Sequence, residues 1–414
     1  MMENFTGILG IFILLVIAFV MSNNRSKINY RIVFWGLGLQ WFFALSILKT
    51  PIGRPLFSFI DKSISKLISF SDAGSDFLFT SFIPDIGYHY ALVNFAFRAL
   101  PTIIFFSALM SILYYYNIIQ IIIKFLSVSM QKTMGTSGSE TLSVAANVFV
   151  GQTEAPLLIK PFINTMTKSE LMAVMVGGFA TVAGGVLAIY VKWLTNIPGI
   201  AGHLLAASVM SAPAALVIAK IIYPETKISN THGKVNIKLE NSNTNAVEAL
   251  SNGAVDGLKL AGNIAAMLIA FISIIALLDY SIELLTTFIG FKNISLDEIF
   301  GLIFRPLAWS MGVPWHESYL VGSLMGKKIV FTELVAYADL KNIIILNDIS
   351  DRTAIISSYA LCGFANFGSI GIQLGGIGGI APNRKKELAK IVSKAMIGGA
   401  LASWLTATIA GILI

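Results

Sequence analysis

The chain has little charge: Asp, Glu, Lys and Arg make up 12% of its 414 residues, against roughly 25% in a typical soluble domain. With 56% of its residues hydrophobic, a soluble core of this size could not hide the apolar surface. There is one cysteine, Cys362, inside an apolar run. That excludes a disulfide framework and a cysteine metal cluster, and leaves a small packing residue. Histidine is nearly as scarce, with four in the chain. The pair His316 and Glu317 invites a catalytic or metal reading, but no second histidine lies nearby, so a structural polar contact is the simpler one. Basic residues are missing from residues 1–7, which hold Glu3. The first apolar run therefore reads as a span and not as a cleaved signal peptide.

What is abundant is long apolar runs: residues 7–21, 31–49, 91–116, 171–191, 203–222, 261–278, 355–374 and 395–414. Each approaches the roughly 20 residues that cross a bilayer core. The expected fold is an all-α polytopic membrane protein of about eight transmembrane helices. The net charge of +7 is spread among the loops, which fits membrane topology and not a nucleic-acid partner. Arg25, Lys27 and Arg31 follow the first span, so the positive-inside rule predicts an N-terminus outside. The same alternation puts Arg384, Lys385, Lys386, Lys390 and Lys394 inside, together with residues 223–254, a polar stretch holding Lys227, Lys234 and Lys238 that reads as a flexible linker. Lys327, Lys328 and Lys341 would then face outward unless a hairpin buries them.

Two segments are too polar and too interrupted for plain spans: residues 139–166, with Glu154, Pro156 and Pro161, and residues 307–337, with Pro314, Glu317 and Glu333. Non-helical backbone survives at membrane depth only against protein or a water-filled cavity, a condition that re-entrant hairpins meet. Each is followed by a span broken near its middle, residues 171–191 at 180–186 and residues 352–374 at 362–369. Paired interruptions in matching positions point to a secondary transporter with inverted repeats. The repeats are expected at 91–222 and 255–414, with residues 1–90 as scaffold. Within that scaffold, Lys62 and Lys66 in residues 55–70 suit a helix lying along the interface.

The strongest local motif is the run Gly151, Gln152, Thr153, Glu154, Ala155, Pro156. A carboxylate at mid-membrane costs about 2.5–3.5 kcal/mol on insertion scales, so it marks a functional site by default. Pro156 removes a backbone donor and helps break the helix. An amide, a hydroxyl and a carboxylate in succession suit a ligand with a dense hydrogen-bonding edge, such as a nucleobase. The structural alternative pairs Glu154 with Lys160, six residues on and off the same helical face. The glycine run at residues 375–379 has no strand before it and no Lys-Ser/Thr after it, so it reads as a loop bordering the basic segment and not as a phosphate loop.

The chain resembles the concentrative nucleoside transporters, most densely at residues 147–156, 170–186, 312–315, 333–337 and 362–369. The resemblance implies that Gln152, Thr153 and Glu154 bind the base, with Val186 and Leu260 packed against it. It places Glu333, Asn366 and Ser369 on the ribose, with Phe364 lining the pocket. A sodium ion would be held by Asn147 and Thr181 through side chains and by Val150 and Val182 through backbone carbonyls. Two departures, Thr332 and Gly368, stand where relatives often carry Asn and Ser, beside the ribose residues. The implied function is a sodium-coupled symporter that imports uridine-like nucleosides by alternating access, as a homotrimer surrounded by lipid in a bacterial cytoplasmic membrane. A proton-coupled symporter, with Glu154 or Glu333 titrating, is the nearest alternative. A membrane-embedded nucleoside hydrolase is the more distant one, and it lacks a second histidine and a convincing nucleophile, so no enzyme is expected.

Overall fold

The computed structural model describes residues 2–51, 53–80, 92, 94–232, 243–288 and 295–414, which leaves Lys234 and Lys238 outside the described residues. No strand occurs among the described residues. The chain begins with α1 (Met2–Val20), α2 (Tyr30–Leu48) and α3 (Gly53–Phe79). α3 is strongly amphipathic and runs past the 55–70 expected for it. A short α4 (Phe95–Arg98) and α5 (Leu100–Tyr115), started by Pro101 in its first turn, are followed by α6 (Ile118–Met134). α6 stops at Gly135, whose φ of 72° is a left-handed cap that glycine adopts without a Cβ penalty.

The first hairpin comes next. α7 (Gly138–Ala146) descends from a capping box formed by Ser137 and Glu140. After a tip at residues 147–154 the chain returns through a 3₁₀ turn (Ala155–Ile159) that opens with Pro156 and a short α8 (Lys160–Ile163). The broken span follows as α9 (Lys168–Ala180), started by a second capping box of Thr167 and Glu170, and α10 (Gly184–Trp193), with residues 181–183 between them. α11 (Ile200–Ile222) and α12 (Ala246–Phe288) complete this part.

α12 corrects one expectation: residues 246–254, read as flexible linker, are helical. Asn245 accepts from the Glu248 amide, which starts the helix inside the polar stretch. Gly253 and Gly257, one turn apart, then let α12 lie directly on α5. A Cβ at Gly253 would come within 2.6 Å of Ser111 Cβ, and one at Gly257 within 2.7 Å of Ile104 Cα. Small residues of this kind let membrane helices meet backbone to backbone.

The second hairpin is displaced from the expected 307–337. Residues 307–310 end α13 (Leu296–Ser310), and the hairpin itself is α14 (Ser318–Val330) and α15 (Glu333–Ile345), turning at Phe331 and Thr332. The polar residues that suggested an earlier tip have a different task. Gly312, with φ 97°, and Pro314 end α13, and Glu317 accepts from the Ser350 amide at 3.1 Å and hydroxyl at 3.0 Å, supporting the start of α16 (Asp351–Leu361). His316 is exposed at 3.5 Å from Glu317, a structural contact. After residues 362–366 come α17 (Phe367–Ile380) and α18 (Lys385–Leu413). The glycine run at 375–379, expected as a loop, lies within α17. One of its glycines is needed for packing, since a Cβ on Gly376 would sit 3.0 Å from Thr153 Cγ2 of the first hairpin tip, while Gly375 and Gly379 face open space.

Among the described residues six stretches are long and apolar enough to cross a membrane, including Lys168–Trp193 and Pro382–Leu413, and Thr6–Val20 and Phe367–Ile380 are shorter apolar helices. α9, α11 and α18 are nearly all buried and form the core, whereas α12 exposes most of its apolar surface. Lys327 and Lys328 are buried and not loop charges, so they carry no weight in the topology; Lys341 is half-buried.

Candidate substrate and ion site

All nine residues expected at the substrate line one cavity of about 150 Å³: Gln152, Thr153, Glu154, Val186, Leu260, Glu333, Phe364, Asn366 and Ser369. They come from the first hairpin tip, the start of α10, α12, the second hairpin tip and the second helix break. The apolar wall is Val186, Leu260 and Phe364, extended by Ile264 and Met267. A mostly apolar cleft with a few convergent polar groups is the usual form of a small-molecule site.

Glu333 opens α15 immediately after Thr332, whose hydroxyl caps the helix through the Val335 amide. It is 2% exposed. Its Oε1 accepts from the Tyr190 hydroxyl at 2.9 Å and its Oε2 from Asn366 Nδ2 at 2.9 Å. Asn366 in turn caps α17, with Oδ1 accepting from the Ser369 amide at 2.8 Å. Ser369 Oγ accepts from Gln152 Nε2 at 3.2 Å, and Gln152 Oε1 accepts from Gln373 Nε2 at 3.1 Å. Gln373 also donates to the Met175 carbonyl of α9 at 3.0 Å. One polar chain thus runs from Tyr190 through both hairpin tips to the backbone of α9. An ionised carboxylate offers about four acceptor positions. Two are taken on Glu333, and the remainder suit the adjacent hydroxyls of a sugar.

Glu154 differs. It is exposed at the cavity, its carboxylate accepts no hydrogen bond among the described residues, and Lys160 forms no ion pair with it. Its carboxylate folds over Gly151, where a Cβ would collide with Oε2.

The two helix breaks also touch. Gly363 has φ 127° and lies so close to α9 that a Cβ would meet the Phe179 carbonyl at 2.7 Å. The first hairpin tip joins the first break through the Gly184 amide, which donates to the Phe149 carbonyl at 3.3 Å. This brings residues 147–150 alongside 181–184, where the ion ligands are expected. Asn147 ends α7 and is 1% exposed; its Nδ2 donates to the Ser143 carbonyl at 3.1 Å, while its Oδ1 is buried with no hydrogen-bond partner. Ser143 Oγ is in the same condition. Thr181 ends α9, with its hydroxyl donating to the Gly177 carbonyl at 3.0 Å and its lone pairs left over. Val150 and Val182 have only backbone oxygen to offer an ion. Buried unpaired oxygen is costly in a native protein and calls for a partner. A set of neutral hard oxygens fits an alkali ion. No cluster of three His, Cys, Asp or Glu suited to a transition metal occurs among the described residues.

The root of the first hairpin is tied down separately. Lys220 of α11 pairs with Glu140 of α7 at 2.7 Å and donates to Ser169 of α9 at 2.9 Å. Past α11, Thr231 accepts from the Gly138 amide at 3.0 Å and shares a 2.8 Å hydroxyl contact with Ser139, while Ser229 donates to Glu170 at 2.5 Å.

Tyr190 and Gln373 were not expected at the site. Each lies one helical turn beyond a residue that was, Tyr190 four after Val186 and Gln373 four after Ser369, and that i+4 spacing was the available signal.

Three family descriptions match the chain: "Na+ dependent nucleoside transporter C-terminus" over residues 203–411, "Na+ dependent nucleoside transporter N-terminus" over 9–82, and "Nucleoside recognition" over 96–196, which includes the first hairpin. Solute carrier family 28 member 3 of Eptatretus stoutii is 42% identical over 98% of this chain, which spans 60% of that relative's length. The uncharacterized transporter YutK of Bacillus subtilis is 41% identical over 99% of both chains. CNTnw in an inward-facing substrate-bound state superposes with a TM-score of 0.91 at 40% identity, covering 99% of this chain and 98% of that one. A doubly substituted CNTnw in an outward-facing state gives 0.92 at 39% identity, covering 100% and 98%. With these matches running along nearly its whole length, the chain belongs to the Na+ dependent nucleoside transporter family.

Proposed function

We propose that the protein is a sodium-coupled symporter that imports uridine-like nucleosides by alternating access. The observation that carries this reading is the single cavity in which a hydrogen-bonded chain joins Glu333, Asn366 and Ser369 to Gln152. Gln152, Thr153 and Glu154 take the base, Val186 and Leu260 pack on it, and Glu333, Asn366 and Ser369 hold the ribose beside Phe364. Na⁺ is held by Asn147 and Thr181, with the carbonyls of Val150 and Val182. The unpaired Asn147 Oδ1 favours an alkali ion over a proton, because a proton needs no such acceptor. Membership in a transporter family sets the hydrolase reading aside.

Ion and nucleoside are coupled because each favours the same arrangement of the first hairpin tip, and linkage makes the effect reciprocal. The two repeats, 91–222 and 255–414, each with its hairpin and broken helix, are taken as inverted and as moving against the N-terminal scaffold. The basic residues Arg25, Lys27 and Arg384 support an N-terminus outside, and the exposed apolar surface of α12 supports burial against lipid and in a homotrimer. Uptake of labelled uridine into proteoliposomes, with Na⁺ or choline outside at fixed pH, tests the coupling. Uptake is expected in Na⁺ alone, and equal uptake in choline would overturn the sodium reading.

A further inference from the structure

Lys328 is fully buried, on α14 three residues before the hairpin turns at Phe331. Withdrawing an ammonium ion from water costs several kcal/mol unless the interior compensates it. No carboxylate bonds to it: among the described residues Lys328 has no Asp or Glu in ion-pair range, and the buried Glu333 acts on it only as a charge through space, whereas its neighbour Lys327 pairs with Asp297 at 2.6 Å and Asp339 at 2.5 Å. Its three donors go elsewhere. Nζ donates to the Ala360 carbonyl at 2.8 Å, to Ser403 Oγ of α18 at 2.7 Å and, at 3.5 Å, to the Cys362 carbonyl.

Ala360 and Cys362 stand where α16 breaks. The last carbonyls of a helix lack intrahelical partners and form the negative end of its dipole. In secondary transporters such half-helix ends and unwound carbonyls are where a cation is held. The first half has the same construction, with the end of the hairpin helix α7 beside the end of the broken helix α9. There the hairpin contributes Asn147, with a free oxygen; in the second half it contributes an ammonium group.

We infer that Lys328 is a tethered cation that fills, at the second helix break, the place an exchangeable ion takes at the first, so that the fold carries one exchangeable coupling ion and one covalent one. The inference rests on the sodium-coupled reading given above. Lys328 is a positioning residue: it joins α14, α16 and α18 five residues before Glu333, and holds that tip against the broken helix.

The test uses full-length wild-type, Lys328→Met and Lys328→Ala proteins in liposomes, with uridine uptake measured under a Na⁺ gradient and folding followed by elution from a sizing column. Met fills the space without charge, so its uptake is expected to fall at least tenfold. Ala leaves room for a free cation. Its uptake is expected to rise at least threefold on adding n-propylammonium, but not n-propanol, with no such rise in wild type or Lys328→Met. If Lys328→Ala is already active in high Na⁺, a dependence on Na⁺ of second order, against first order in wild type, supports the inference, and an unchanged order overturns it. A folded Lys328→Met protein with wild-type uptake, or an inactive folded Lys328→Ala protein that propylammonium does not restore, overturns it as well. Should Lys328→Ala aggregate, recovery of a single elution peak with propylammonium supports the inference, and aggregation in its presence overturns it. Wild type in choline reports separately on sodium coupling, so loss of that reading is distinguishable from failure of the rescue.

Discussion

The two hairpin tips carry the same group in opposite conditions. Glu333 is buried and holds two donors, Tyr190 and Asn366, before any substrate arrives. Glu154 is exposed and unpaired beside Gly151. The second tip is thus preorganised, its carboxylate oriented by protein at no cost on binding. The first tip has polar groups still to be satisfied, Glu154 at the cavity and Asn147 Oδ1 behind it. Under the proposed assignment the contrast is a division of labour: a fixed half for the sugar, and an adjustable half whose order depends on what binds.

The sharpest way to break this contrast is Glu333→Gln. It removes the charge from a carboxylate whose hydrogen bonds are each worth about 1.5–3 kcal/mol, so uridine uptake is expected to fall about a hundredfold or more while the protein remains in the membrane, measured by uptake against surface-normalised expression. Wild-type uptake would remove the ribose assignment. Asn147→Ala comes next. Loss of one neutral oxygen ligand, at about 1.4 kcal/mol for each tenfold, is expected to raise the Na⁺ concentration for half-maximal uptake about tenfold, and a Na⁺ titration that does not shift would count against the ion site. The smallest effect is assigned to Glu154→Gln. With no protein partner to lose, its thermal stability should match wild type, within the roughly ±0.5 kcal/mol usual for such positions, while the apparent affinity for uridine weakens about threefold. A larger drop in stability than in affinity would show that the two tips do not differ as described.

Much of this was legible because membrane depth makes polarity conspicuous. Glu154 beside Pro156, and the breaks near Thr181 and Asn366, stand out in apolar surroundings for a physical reason: each needs protein or ligand to satisfy it. The nine cavity residues came through the resemblance, and the structure brings all of them together. Other features were hidden. Gln373 and Tyr190 are single polar residues on apolar helices, and only the facing element decides whether such a residue meets a ligand, a lipid or a carboxylate. The glycines at 375–379 read as a loop because glycine disfavours helices in isolation. In α17 the contact of Gly376 with Thr153 accounts for one of them, and the rest lie in a helix already started by the Asn366 cap. The second hairpin was misplaced because Pro314 and Glu317 signal a chain reversal without saying which one; they serve the junction of α13 with α14 and the start of α16.

The ties at the root of the first hairpin have a mechanical consequence. Glu140, Lys220, Ser139 and Thr231 clamp the base of α7 to its neighbours through an ion pair and short hydrogen bonds, while the tip is held by the neutral bonds of Gln152 and the Phe149 carbonyl and keeps an unpaired oxygen at Asn147. A beam fixed at one end deflects at the other. With an ion bound at Asn147 as proposed, its work would go into aiming Gln152 and Glu154, and little of it into shifting the whole hairpin.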